Sequence, residues 1–122
     1  GDVYKRQVVP KALAIGPKIQ STTERAYKAG VNIAFGSDAG VFPHGNNAKE
    51  FRFMNEAGIP VIECLQAATI VNSKILSMDS KIGQIKNGFF ADIIATKSNP
   101  ENDIRTLENV IFVMKNGEIY KN

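Results

Sequence analysis

The sequence predicts an α/β fold, and three observations carry that prediction. A helical stretch passes through a single glycine, Gly30, into a continuously apolar run at residues 31 to 36, which is the αβ half of a parallel crossover unit. That run stops inside VNIAFGSDAGVFPHG and delivers Asp38 to a glycine-flanked loop. A parallel strand presents a carboxylate in this way at its C-terminal mouth, where α/β barrels keep their chemistry. From residue 82 onward the apolar period shortens to that of strands separated by turn signals, so the tail reads as a small antiparallel sheet.

Each element follows from its residues. Residues 1 to 7, GDVYKRQ, lack a starting Met and fit neither neighbouring pattern; they resemble translated adapter sequence and are expected to be a non-native leader. Residues 7 to 15 read as a helix around Lys11-Ala12-Leu13, limited by Pro10 and by Gly16-Pro17. A second helix is expected from about residue 17 to 29, with Ile19, Thr22 or Thr23, Ala26 and Ala29 on one face and Gly30 as the residue that ends it. The strand at 31 to 36 should then be buried on both faces.

After the Asp38 loop, Asn47-x-x-Glu50 has the form of a capping box opening a helix over residues 48 to 57, which Gly58 ends. Pro60 suits the first turn of the next helix, where Val61, Leu65, Ala68, Asn72 and Ile75 or Leu76 keep helical spacing. Asn72 is the polar exception on that face, and a break is expected near Asn72-Ser73. Strands are predicted at 82 to 85, 91 to 96, 110 to 115 and 118 to 121. Asn116-Gly117 is a type I′ hairpin signal, and residues 103 to 107 read as a short helical turn.

Composition narrows the function classes. The 122 residues are 43% hydrophobic and 22% charged, which is the balance of a globular chain. The 15 basic residues exceed the 12 acidic ones by three and are scattered among them, so no phosphate-binding stripe forms and nucleic acid is excluded as a partner. Cys64 is the only cysteine; no internal disulfide is available, and in IECLQAA the thiol reads as a small buried apolar group. No apolar run reaches the ~20 residues of a bilayer-crossing helix, so the segment carries no membrane span.

With these elements in place, three motifs in order carry a family resemblance. IAFGSDAGVFPHG resembles the final barrel strand and loop of the amidohydrolase superfamily, in its imidazolonepropionase-like and Xaa-Pro dipeptidase-like branch. ECLQAATIVNSKIL resembles the helix that follows, and IGQIKNGFFADIIATKSNP with VIFVMKNGEIY resembles the closing sheet. The resemblance implies the C-terminal part of a TIM-like (β/α)8 barrel plus part of a small β-sandwich domain. Residues 8 to 81 would supply the last helices and final strand, and residues 82 to 122 the C-terminal strands of a composite β domain.

The same resemblance implies a hydrolase of C–N bonds, in amides, cyclic amides or Xaa-Pro dipeptides, acting on a small-molecule or dipeptide substrate. Asp38 would bind a divalent metal, usually zinc, with one or two ions in the intact protein, and would serve as general base and then general acid. A carboxylate suits that task, because a metal brings the pKa of its bound water towards ~7 and a neighbouring carboxylate can take the proton and return it to the leaving nitrogen. His44 would touch substrate, and Asp92 would play a structural part.

Each of these residues also has a plainer reading. Asp38 could be a turn carboxylate bonded to nearby backbone donors, His44 a loop-packing side chain, and Asn46 and Asn47 caps. The family's other metal ligands have no counterpart among one His and one Cys, so the fragment by itself is expected to be inactive. The competing prediction is a self-contained small α/β binding module whose C-terminal hairpin offers an interaction edge.

Overall fold

A computed structural model describes residues 18–37 and 45–122. The expected leader, the first expected helix, Asp38 and His44 lie outside the described residues. Helix α1 covers residues 18–28; α2 is Lys49–Glu56, α3 is Val61–Gln66 and α4 is Asn72–Ile75, the last two joined by a π turn, Ala67–Val71. Strands β1 (Ile93–Thr96), β2 (Val110–Lys115) and β3 (Glu118–Lys121) follow, with a 3-10 helix, Ile104–Glu108, between the first two.

The helices end as the glycines dictate. Beyond α1 the Val31 N–H reaches the Ala26 carbonyl at 3.1 Å and the Gly30 N–H reaches Tyr27 at 3.0 Å, the paired bonds of a Schellman motif with Gly30 at φ 81°. Gly58 closes α2 through the equivalent bonds to Met54 and Asn55, and Ser77 closes α4 through Ser73 and Lys74.

The apolar faces of these helices meet in one core. Met54, Ile59, Cys64 and Ala67 are buried, and Tyr27, Ile33, Phe35 and Phe51 pack against them. Ile59 and Cys64 are 2% and 0% exposed. The half-buried face of α1 consists of Thr23, Glu24, Ala26 and Tyr27, while Ile19 is 60% exposed. The face expected at Ile19 and Ala29 is thus rotated, because the core recruits the large Tyr27 ring.

Three further expectations are corrected. The strand expected at 31 to 36 pairs with no strand among the described residues. Its burial alternates: Ile33, Phe35 and Ser37 are half-buried while Asn32, Ala34 and Gly36 are exposed, so one face meets the helices and the other is uncovered among the described residues. The capping box does not form; Ala48 takes the cap position in helical conformation with no side-chain bond, and the carbonyl of Asn47, not its side chain, accepts from the Glu50 N–H at 3.2 Å. Residues 82 to 85 form bends rather than a strand.

The reason for the bends lies at Gly83. Its φ is +93°, and a Cβ there would sit 2.9 Å from both the Thr69 carbonyl oxygen and the Ser73 hydroxyl. Only a glycine permits that backbone to press against the helix, and the contact turns the chain away from any ladder. The break expected near Asn72-Ser73 is realised one turn earlier, as the π turn Ala67–Val71.

The sheet has the order β1-β2-β3 and is antiparallel throughout. Ile93 faces Met114 and Lys115 faces Glu118, with a register shift in each ladder. Asn116 at φ 50° and Gly117 at φ 79° supply the I′ turn. The expected helical turn appears as the 3-10 helix, whose first turn is capped by the Asp103 carboxylate accepting from the Arg105 N–H at 3.1 Å, with Leu107 buried beneath. Arg52 on α2 pairs with Glu108 at 3.6 Å and ties the helices to this end of the sheet.

Candidate functional site

The segment that leads into Asp38 is held from two sides. On one, the Phe35 ring stacks on Phe51 of α2, with centroids 4.4 Å apart. On the other, the Phe35 N–H donates to the Ala67 carbonyl at 3.3 Å, and the Asn72 side-chain amide donates to the Phe35 carbonyl at 3.0 Å. Ala67 opens the π turn, whose wider hydrogen-bond spacing frees carbonyls from the α ladder for outside donors. Both backbone groups of Phe35 are therefore satisfied by a helix instead of by neighbouring strands.

The chain leaves the described residues after Ser37 and returns at Gly45. Phe35 and Gly45 border the same cavity of about 390 Å³, which Leu107, Glu108 and Val113 also line. Asn47, expected as a cap, lines that cavity, and Asn46 is exposed, its carbonyl accepting from the Lys49 N–H. Asp38 and His44, the residues singled out for catalysis, metal binding and substrate contact, lie in the interval outside the described residues.

The remaining titratable groups are explained by packing. Burial, helped by the nearby Glu63 charge, pushes the Cys64 thiol up to about 11, and its sulfur points at the Ile59 carbonyl, 3.5 Å away; it is a neutral core group, as the sequence suggests. The hydrogen bond that Tyr27 donates to Glu63 raises the phenol above its usual value. Burial also raises Glu50, which lines a groove of about 470 Å³ between α1 and α2. No residue of 31–37 borders that groove.

Asp92 accepts from Lys115 Nζ and from the Asn116 N–H, both at 2.8 Å, and the neighbouring Ala91 carbonyl accepts from the Gly117 N–H at 3.0 Å. Lys115, followed by the backbone N–H of Asn116, holds the carboxyl below the ordinary aspartate range. Its work is to fasten the β2–β3 turn.

Among the described residues no group of three or more His, Cys, Asp or Glu side chains converges to hold a metal. The described residues therefore do not fit a metal by themselves, and a centre built on this chain needs donors from outside them. The bond from Asn72 to the Phe35 carbonyl was not foreseen from the sequence; the signal was its place as the one polar side chain on an otherwise apolar helical face.

Comparison with known proteins places this geometry. The model of the amidohydrolase family matches residues 8–120. The ochratoxinase of Aspergillus niger is 36% identical over 126 aligned residues, covering 99% of this chain and 26% of that protein. A crystal structure of a Xaa-Pro dipeptidase with methionine bound in its active site superposes with a TM-score of 0.88 at 49% identity, covering 93% of this chain and 28% of that one. A prolidase complexed with N-methylphosphonate-L-proline superposes with a TM-score of 0.80 at 29% identity, covering 93% and 29%. The chain thus spans about a quarter of the length of the relatives it matches. It belongs to the amidohydrolase family.

Proposed function

We propose that this chain is the C-terminal quarter of a metal-dependent hydrolase that cleaves amide-type C–N bonds, with the Xaa-Pro dipeptide bond as its substrate class. Residues 8–81 contribute the last helices and final strand of a (β/α)8 barrel, and residues 82–122 the closing strands of a small β domain. The observation that carries this reading is the likeness to the Xaa-Pro dipeptidase structure, 49% identical across 93% of the chain. The prolidase complexed with N-methylphosphonate-L-proline supports the same substrate class. The family match over residues 8–120 favours the hydrolase over a self-contained binding module.

In this reading Asp38 is the metal-site carboxylate and the general acid and base, and His44 contacts substrate. A divalent metal, zinc or a close relative, supplies Lewis acidity and an activated water when bound. The segment that precedes Asp38 in sequence is held at Phe35 by Ala67 and Asn72. The remaining donors come from other parts of the full-length protein.

The test is an assay of the full-length protein against Xaa-Pro dipeptides with and without divalent metal, together with Asp38→Asn. Metal-dependent release of proline that falls by roughly 10³-fold or more in the variant, with an unchanged melting curve, is the expected result. A wild-type protein that turns over no amide, or an Asp38→Asn variant close to wild type, sinks the reading.

A further inference from the structure

We infer that Asn87 is a site of spontaneous modification, converted by its own backbone and water to aspartate and isoaspartate, while the fold protects Asn116 from the same reaction. The inference does not depend on the function proposed above. Asn87-Gly88 and Asn116-Gly117 are the Asn-Gly pairs of the chain, and a lysine precedes each, Lys86 and Lys115. Local sequence therefore gives the two asparagines nearly equal reactivity, and what separates them is the backbone around each.

The reaction has two steps. In the first, the glycine nitrogen loses its proton to solvent base and attacks the asparagine Cγ. The N–Cγ bond forms, the Cγ–Nδ2 bond breaks, and Nδ2 takes up a proton and leaves as ammonia, so that a cyclic imide remains. In the second, water opens the imide. Attack at Cγ breaks the new N–Cγ bond and gives aspartate; attack at the backbone carbonyl breaks the original peptide bond and leaves the chain running through the side chain as isoaspartate. A glycine suits the first step because no Cβ stands beside the attacking nitrogen. The step also requires that the nitrogen be able to give up its proton and that the peptide between the two residues be able to turn.

At Asn116 the fold blocks both requirements. The Gly117 N–H, the group that would attack, donates to the Ala91 carbonyl at 3.0 Å. The Asn116 N–H donates to the Asp92 carboxylate at 2.8 Å. The peptide between them is the centre of the I′ turn, with Asn116 at φ 50° and Gly117 at φ 79°, and β2 and β3 are paired on either side of it. Turning that peptide breaks these bonds together.

At Asn87 the same peptide lies at the tip of a turn. The Phe89 N–H donates to the Lys86 carbonyl at 3.0 Å, a bond that brackets Asn87 and Gly88 and uses neither group of the peptide that joins them. Residues 84–88 are all exposed, and a Cβ at Gly88 finds no atom within 4 Å among the described residues. Rotation of this peptide gives up no ladder bond. The product places a carboxylate next to Lys86, whose ammonium lies 5.8 Å from the centre of the Phe89 ring, and the isoaspartate form adds a carbon to the backbone of the turn.

The experiment ages the full-length protein in mildly alkaline buffer, in the native state and in parallel in denaturant, and maps both Asn-Gly peptides by mass spectrometry with fragmentation that separates aspartate from isoaspartate. In the native protein Asn87 is expected to convert roughly tenfold or more faster than Asn116, because the bonds at Gly117 and Asn116 must open before the second site can react. In denaturant the two sites are expected to convert at similar rates. A native protein in which Asn87 stays intact while its denatured form converts, or in which Asn116 converts as fast as Asn87, overturns the inference.

Discussion

The helical region and the sheet are secured by opposite means. Around Cys64 the chain is held by packing: Met54, Ala57, Ile59, Cys64 and Ala67 are all buried, while its one extended segment, residues 31–37, has no ladder among the described residues. In the sheet the reverse holds. Both ladders are made and the hairpin turn is fastened by Asp92, yet Leu107 of the adjoining 3-10 helix is the buried apolar side chain on that side, and Ile94, Ile111, Ile119 and Tyr120 are exposed. Each region lacks what the other has, as expected of layers that find their covering elements elsewhere. The chain's span of about a quarter of its relatives fits that comparison.

The largest effect should come from asking both regions to stand alone. Residues 8–122 expressed by themselves are expected to show native-like secondary structure without a cooperative thermal transition, and to bind a hydrophobic dye. Val31 beside the extended segment and Ile94, Ile111 and Ile119 of the sheet are exposed, apolar surface that a stable domain must cover. A soluble monomer with a sharp transition would show that packing in one half and pairing in the other suffice together, and would revive the binding-module interpretation.

Within the full-length protein, the packed region breaks most readily at Ile59. Truncation by Ile59→Ala removes a side chain that is 2% exposed and should cost about 3 kcal/mol, read from the denaturant midpoint. The buried Cys64 thiol reports the same event: its pKa of about 11 keeps it neutral at pH 8, so labelling is slow until the core opens. Ile59→Ala should speed that labelling and leave amide exchange in β2 and β3 almost unchanged. Equal acceleration in the sheet would show that the two regions unfold as one unit.

How much of this was legible in the sequence follows the same division. Local signals survived: the Schellman ends at Gly30 and Gly58, the Asn116-Gly117 turn, the β2 and β3 boundaries and the buried thiol each depend on a few adjacent residues. Signals that depend on a distant partner failed. Residues 82–85 alternate like a strand, but the contact between Gly83 and Thr69 decides their conformation. Asn47 and Glu50 have the spacing of a capping box, but Ala48 takes the cap and Glu50 turns into the groove beside Phe53. Asn72 looked like a flaw in a helical pattern because its partner, the Phe35 carbonyl, lies 37 residues away.

The joint between the regions gives the next test. Gly83→Ala must place a methyl group within 2.9 Å of the Thr69 carbonyl oxygen and the Ser73 hydroxyl, at a φ that L residues rarely adopt. Backbone strain and crowding together should cost about 2 kcal/mol, less than Ile59→Ala but spread to both sides of the joint. Faster exchange in both the π turn and β1 is the expected pattern. A variant as stable as wild type would mean that the loop yields freely and that the close approach at Gly83 does not hold the joint.

The smallest effect belongs to the sheet and depends on pH. Asp92 is bonded to Lys115 and to the Asn116 N–H, and its folded pKa lies below the ordinary value near 3.9. A carboxyl whose pKa is depressed by folding contributes stability that is complete above its unfolded pKa and is lost as pH falls through the folded one. At pH 7 the contribution is therefore present, and below about pH 4 it fades. Lys115 is largely exposed, so solvent screens much of the pair and the change should be smaller than for either substitution above. Asp92→Asn should speed exchange at Asn116 and Gly117 at pH 7, lose that difference from wild type under acid conditions, and leave Cys64 labelling untouched. If the variant instead exposed Cys64, the hairpin would be supporting the helical core, and the separation between a packed half and a paired half would not hold.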